Sequence, residues 1–165
     1  MLAFIISDMT MIAVRPTLEA DLPHLVHIWY EKWTLLSQAD RRIRLASDAK
    51  ERWINTARAW IVAADTHMAS ALTDEIPIGY TVGRVMDAPP GLIPDKMGVV
   101  MDIALYGHRS YPGAARLLIG TLRAWFAAHG VEQIVVWAAR RQPVEQAFWR
   151  SLGAVEWMDG LWLKQ

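Results

Sequence analysis

The stretch Gly98 to Phe126, GVVMDIALYGHRSYPGAARLLIGTLRAWF, is the part of the chain that most restricts the possible folds. From Val99 to Leu105 nearly every residue is apolar, as in a strand buried on both faces, and the strand is expected to end near Tyr106. Gly107 and Pro112 then punctuate the chain. Beyond Gly113 the period changes, because Ala115, Leu118, Leu122, Trp125 and Phe126 recur at helical spacing. A helix is predicted from about Pro112 to His129, with Gly130 as its stop.

A strand that turns directly into a helix aims the helix's first N–H groups at the carboxyl end of the strand, and such a spot binds phosphate. The turn has neither the Walker spacing and lysine nor G-x-G-x-x-G, so neither an NTPase nor a dinucleotide fold is indicated.

The flanking sequence supplies the partners. Met11 to Pro16 reads as a short strand, and Asp21 is placed to cap a helix carrying Leu22, Leu25, Val26, Trp29, Trp33 and Leu36 on one stripe. His24 and His27 lie three apart on it, but no third ligand is near, so they read as ordinary polar helix residues. A second helix is predicted from Asp48, where Glu51 completes a capping box and Trp53 and Ala57 face inward.

Ala59 to Asp65 and Pro77 to Met86 read as an antiparallel pair of strands joined by an irregular connection, Thr66 to Ile76. A second irregular segment, Asp87 to Lys96, carries three prolines. Val131 to Ala139 is a further apolar strand, which makes a parallel βαβ unit with the central strand and helix. Pro143 opens a last helix with Val144, Phe148 and Leu152 as its inward row and Gly153 as its stop. Residues 154–158 and 161–164 read as a terminal hairpin about Asp159-Gly160.

Composition narrows the function classes. At 165 residues the chain suits one domain, expected over 11–165. Residues 1–10 are expected to be a tail or an extra strand, too short for a signal peptide or a span, with Met9 or Met11 as a possible natural start. Seventeen basic residues balance seventeen acidic ones, which argues against nucleic acid or an anionic membrane as partner. The absence of cysteine excludes disulfides and thiolate chemistry and fits the cytoplasm. The apolar fraction, 53%, leaves room for a homodimer.

The order of elements and the central turn resemble the GNAT superfamily of acyl-CoA-dependent N-acetyltransferases. That family's strand ends V-x-P and is followed by R/Q-x-x-G-x-G/A at a helix start. Here Leu105-Tyr106-Gly107 stands for the first, and Ser110-Tyr111-Pro112-Gly113-Ala114-Ala115 for the second. Gln142 to Ala154 resembles the N-x-x-A-x-x-x-Y-x-x-x-G-F region, with Gln142, Glu145 and Trp149 in place of Asn, Ala and the tyrosine often proposed as general acid.

The resemblance implies an α/β (α+β) fold: a mixed, mostly antiparallel sheet of six to seven strands, a central parallel pair, and helices on both faces. It implies acetyl-CoA as donor, no metal, and a small amine or peptide N-terminus as acceptor. Ile103 and Leu105 would meet pantetheine through the main chain. Ser110, Tyr111, Gly113, Ala114, Ala115 and Arg116 would hold the pyrophosphate, and Gln142 and Trp149 would line the groove. Asp102, a carboxylate within an apolar strand, is the candidate base, against a structural role paired with an arginine such as Arg84. Tyr106 and Tyr80 are further candidates for proton transfer. The departures at Ser110, Pro112, Gln142 and Trp149 support an alternative, a CoA-binding or interaction module that has lost turnover.

Overall fold

The structure, a computed structural model, describes residues 11–107, 111–140, 142–158, 160, 161 and 163. The proposed tail, residues 1–10, lies outside them.

Five strands form one sheet in chain order: β1 (Ala13–Pro16), β2 (Thr66–Thr73), β3 (Ile76–Asp87), β4 (Lys96–Leu105) and β5 (Ile134–Val136). The first four pair antiparallel, and β4 and β5 pair parallel through the crossover helix α3 (Ala114–Ala128). Helices α1 (Leu22–Ala39) and α2 (Ala49–Val62) lie between β1 and β2 in sequence, and α4 (Pro143–Ser151) follows β5. The expected mixed fold and its central βαβ unit are therefore present. Among the described residues the sheet has five strands, not six or seven.

Two differences separate the structure from the expected order, and only the second, at the terminal hairpin, changes the count. Ala59–Val62 is the last turn of α2, because Trp53, Ala57, Trp60 and Ile61 continue one helical stripe into the core around Leu25 and Tyr80. The strand lies instead in the stretch read as an irregular connection. It turns back into β3 through Asp74 and Glu75, both at positive φ, a two-residue hairpin. β2 carries Ala69, Ser70 and Ala71, all fully buried, since helices press on both faces and only small side chains fit. At the other end, the described residues of the expected terminal hairpin form no strand, and Asp159 lies outside the description.

Two expected caps are also not formed. Asp48 pairs with Arg52 at 2.9 Å rather than closing a capping box. Asp21 makes no cap bond to α1. It accepts two hydrogen bonds from Arg15 at 2.7 and 2.9 Å, one from the Leu18 N–H at 2.9 Å and one from Ser70 at 3.3 Å, which ties β1 to β2.

The sheet divides the core. On one face Tyr80, Val82 and Ala104 pack against Leu25, Val26, Ile28 and Trp53 of α1 and α2. On the other, Val100 packs against Ile119, Leu122 and Phe126 of α3 and Trp149 of α4. The Phe126 ring needs two glycines beneath it: a Cβ on Gly98 would lie 2.8 Å from the ring, and so would one on Gly83.

Gly98→Val is expected to destabilise the domain by about 1–3 kcal/mol through overpacking. Urea denaturation of this variant and of the double variant with Phe126→Leu checks it. The smaller side chain should recover part of the loss.

Candidate functional site

The site begins where two strands part. β4 pairs with β5 only over Gly98–Val100, opposite Ile134–Val136, but runs on beside β3 to Leu105. Among the described residues, its far edge has no strand beside it from Met101 onward. The Tyr106 N–H donates to the Ile78 carbonyl of β3 at 2.8 Å, so by strand alternation the polar groups of Leu105 and Ile103 point to the open side.

A β-bulge sits at this fork. Val82 stands opposite Asp102 and Gly83 opposite Val100, which makes Met101 an extra residue on β4. The insertion reverses the alternation of side chains. Val100 faces α3, whereas Asp102 and Ala104 face α1, and Ile103 and Leu105 pack toward Ala114 and Leu118 of α3.

Asp102 is the centre of a polar node. One carboxylate oxygen accepts from the Lys32 ammonium at 2.6 Å and the other from the Tyr80 hydroxyl at 2.6 Å. Lys32 also donates to the Ile103 carbonyl at 2.9 Å, on the open edge. Tyr80 is fully buried. Burial first, then the Asp102 carboxylate, hold its phenol proton on well above the ordinary tyrosine range. The arginine considered as a partner of Asp102 is engaged elsewhere: Arg84 pairs with Asp65 at 2.7 Å.

Sequence reasoning missed Lys32. Its signal was a charge at the place where the stripe Leu25, Trp29, Leu36 calls for an apolar residue. It also missed Glu31, whose carboxylate lies 3.1 Å from the position of a Cβ on Gly107, at the strand's end.

The turn after β4 leads into α3 through Gly113, which takes the left-handed φ of +84° and, its chain neighbours apart, has no atom of a described residue within 4 Å of where a Cβ would stand. The Ala114 N–H bonds the Tyr111 carbonyl at 3.2 Å, and the amides of Ala115 and Arg116 follow in the first helical turn. Leu105, Tyr106, Tyr111, Gly113, Ala114 and Ala115 thus adjoin one another around the fork and the helix start. Ser110 lies outside the described residues.

The side chains of three expected site residues, Arg116 at the pyrophosphate and Gln142 and Trp149 in the groove, are placed differently. The Arg116 guanidinium donates to Ser151 at the last turn of α4, while Gln142 stands at the N-cap position of that helix without a side-chain capping bond, so the two sit at its opposite ends. Trp149 is 5% exposed and packs with Val100, Ile119 and Phe126. The inward row of α4 runs through Trp149, and Val144, 81% exposed, is not on it. The bulky indole fills the gap between α4 and α3 that the smaller side chain would leave.

No group of three or more His, Asp or Glu among the described residues is placed to hold a metal, and no described helix is long and apolar enough to cross a membrane.

No family model matches the chain, and no curated protein matches it in sequence. Solved structures do match its fold. An aminoglycoside N-acetyltransferase, AAC(6')-Iy, in complex with CoA superposes with a TM-score of 0.76 at 15% identity, over 98% of this chain and 99% of that one. A predicted acetyltransferase with acetyl-CoA from Clostridium acetobutylicum gives 0.74 at 15% identity, over 93% and 96%. A transcriptional regulator from Bacillus halodurans gives 0.77 at 14% identity, over 94% and 100%. The chain therefore has the fold of the GNAT superfamily of acetyltransferases.

The buried Tyr80 proton links this node to folding. The unfolded chain releases it near pH 10 and the native state retains it, so the stability it confers is present below about pH 10 and is lost as pH rises further. The expected slope from this group is a fall of up to about 1.4 kcal/mol per pH unit. Urea denaturation at stepped alkaline pH should show a shallower fall for Tyr80→Phe than for the parent. Equal slopes would disconnect Tyr80 from the node.

Proposed function

We propose that the chain is an acyl-CoA-dependent N-acyltransferase that moves an acetyl or short acyl group to a primary amine without a covalent enzyme intermediate. The observation that carries this reading is the forked β4–β5 pair leading through Gly113 into the start of α3. An open strand edge and a helix N-terminus are what a pantetheine amide and a pyrophosphate require. The open space at Gly113 suits close approach of a phosphate to the backbone.

In this reading Ile103 and Leu105 bind pantetheine by main-chain groups, and the amides of Tyr111, Gly113, Ala115 and Arg116 hold the pyrophosphate, Pro112 having no N–H and that of Ala114 being bonded to the Tyr111 carbonyl. When bound, acetyl-CoA supplies a thioester carbonyl, which the amine nitrogen attacks as the C–S bond breaks. The Leu105 N–H stabilises negative charge developing on that carbonyl oxygen, as in an oxyanion hole.

The amine must lose a proton to react. Asp102 already accepts one strong bond on each oxygen, so it acts as a positioning residue that holds Lys32 against the Ile103 carbonyl. Tyr106 and Glu31, at the strand's end, relay the proton to water. Gln142 and Trp149 are left outside the chemistry, the first at the far end of α4 from Arg116 and the second within the core. The reading places the protein in the cytoplasm, where acetyl-CoA is made available to such enzymes.

Acetyl-CoA at a hundredfold excess over its dissociation constant is expected to stabilise the protein by roughly 2.7 kcal/mol. Thermal denaturation with acetyl-CoA, ATP and NAD tests the assignment. A rise in Tm with another nucleotide and none with acetyl-CoA would overturn it. Gly113→Val, which puts a β-branched residue at positive φ beside the phosphate site, should abolish CoA binding by calorimetry while the circular dichroism of the domain is retained.

A further inference from the structure

The face of the sheet opposite α3 is only partly covered. Tyr80 and Val82 lie under α1 and α2, but further along β3 the same face shows Arg84 and Met86, which stand across from Val99 and Met97 of β4. Val99 in turn stands beside Val135 of β5. These residues, with Met101, Trp137 and Trp157, line an open cavity of about 450 Å³. That volume falls within the range of small-ligand sites, roughly 300–1,000 Å³.

Two properties of this cavity decide what it can hold. The first is its place: it follows the β4–β5 seam and reaches Met101, the bulge residue where the strands part. From Met101 to Ile103 is two residues, about 7 Å of strand. The cavity thus ends on the open β4 edge that carries the donor in the reading above. The second is its chemistry. Seven of its eight lining residues are methionine, valine or tryptophan, and the eighth, Arg84, is already paired with Asp65. No described carboxylate lines it.

A polycation entering such a cavity would lose hydration from several ammonium groups and meet no opposite charge in return. An amine borne on one apolar body loses the hydration of a single polar group, which leaves the cavity to react. Its body gains apolar contact and, if aromatic, stacking on Trp137 and Trp157.

We infer that this cavity is the acceptor site and that it selects a monoamine carrying an aryl or branched alkyl group, in preference to polyamines and aminosugars. The inference rests on the acyltransferase reading and deepens it. Met101 and Trp137 determine specificity, Met101 at the reacting end and Trp137 along the body.

The test is the rate of CoA release at saturating acetyl-CoA with three acceptors: 2-phenylethylamine, ethylamine and an aminoglycoside. The expected kcat/KM for 2-phenylethylamine exceeds each of the others at least tenfold. Trp137→Ala should raise its KM about tenfold with the Kd for acetyl-CoA unchanged, and Trp137→Phe should restore most of the affinity. Trp137 is 63% exposed, so both variants are expected to fold, and their melting temperatures check this.

Preference for the aminoglycoside, equal rates with ethylamine, or a KM indifferent to Trp137→Ala would overturn the inference while leaving the donor site standing. So would acetyl-CoA binding with no turnover of any of the three. A Trp137→Ala variant that changes from dimer to monomer in sedimentation, with no change in KM, would make this face an interface between copies instead. Failure of acetyl-CoA to bind at all would overturn both readings.

Discussion

The candidate site depends on one constraint: β4 keeps its β3 partner to Leu105 but loses β5 after Val100. A parallel strand that leaves the sheet exposes an edge of main-chain donors and acceptors, and a protein hides such an edge or uses it. Here the bulge at Met101 does the separating. One extra residue bends β4 and reverses which face each later side chain meets. Had the alternation continued unbroken, Asp102 would point with Gly98 and Val100 at Phe126, into the apolar cluster of Ile119, Leu122 and Trp149.

That reversal explains the polar node. A carboxylate this deep in an apolar strand is tolerable only if each oxygen is bonded. Lys32 comes from α1 and Tyr80 from β3, so the node fastens the helix layer to the sheet beside the open edge. Trp53 packs edge-on against Tyr80 at 5.4 Å and stacks on Trp29 at 5.9 Å, which screens the node from water on the helix side. Lys32 then reaches past Asp102 to the Ile103 carbonyl, and an element of the core thereby sets the position of main chain on the exposed edge. Rigidity of this kind is what a backbone-recognition site needs, since its donors are not adjustable side chains.

The legible parts of the fold were those with one strong period. α3 shows a single period, and Leu118, Leu122 and Phe126 are buried as their spacing requires; the apolar runs of β4 and β5 mark strands, although of Val131 to Ala139 only Ile134–Val136 is one. The α2–β2 boundary was not legible, because Ala59 to Val62 combines apolar and β-branched residues with helical spacing, and period-2 and period-3.6 readings both fit so short a run. β2 was hidden for the opposite reason. Its Ala69, Ser70 and Ala71 have poor strand propensity and are there because helices crowd both faces, a tertiary demand that no local pattern records. Trp149 was misplaced by one residue on a nine-residue helix, where a shift of about 100° moves a side chain from groove to core. Lys32 and Asp102 are 70 residues apart, and only the bulge brings them together.

The same physics explains why the fold is plainer than the family signature in the sequence. A site that reads pantetheine and pyrophosphate through N–H and C=O groups asks little of its side chains: a glycine that accepts φ of +84°, small residues at Ala114 and Ala115, and a strand that ends on time. Such demands allow Ser110 and Pro112 to stand where other residues are preferred, because the helix starts beyond both, at Ala114. Side chains carry weight where the acceptor is chosen, since shape and charge complementarity there cannot be supplied by the backbone. In the proposed reading, substitution is therefore best tolerated at Ser110 and Pro112 and most consequential at Met101, Trp137 and Trp157, where a change would alter what is acylated without altering how the donor is held.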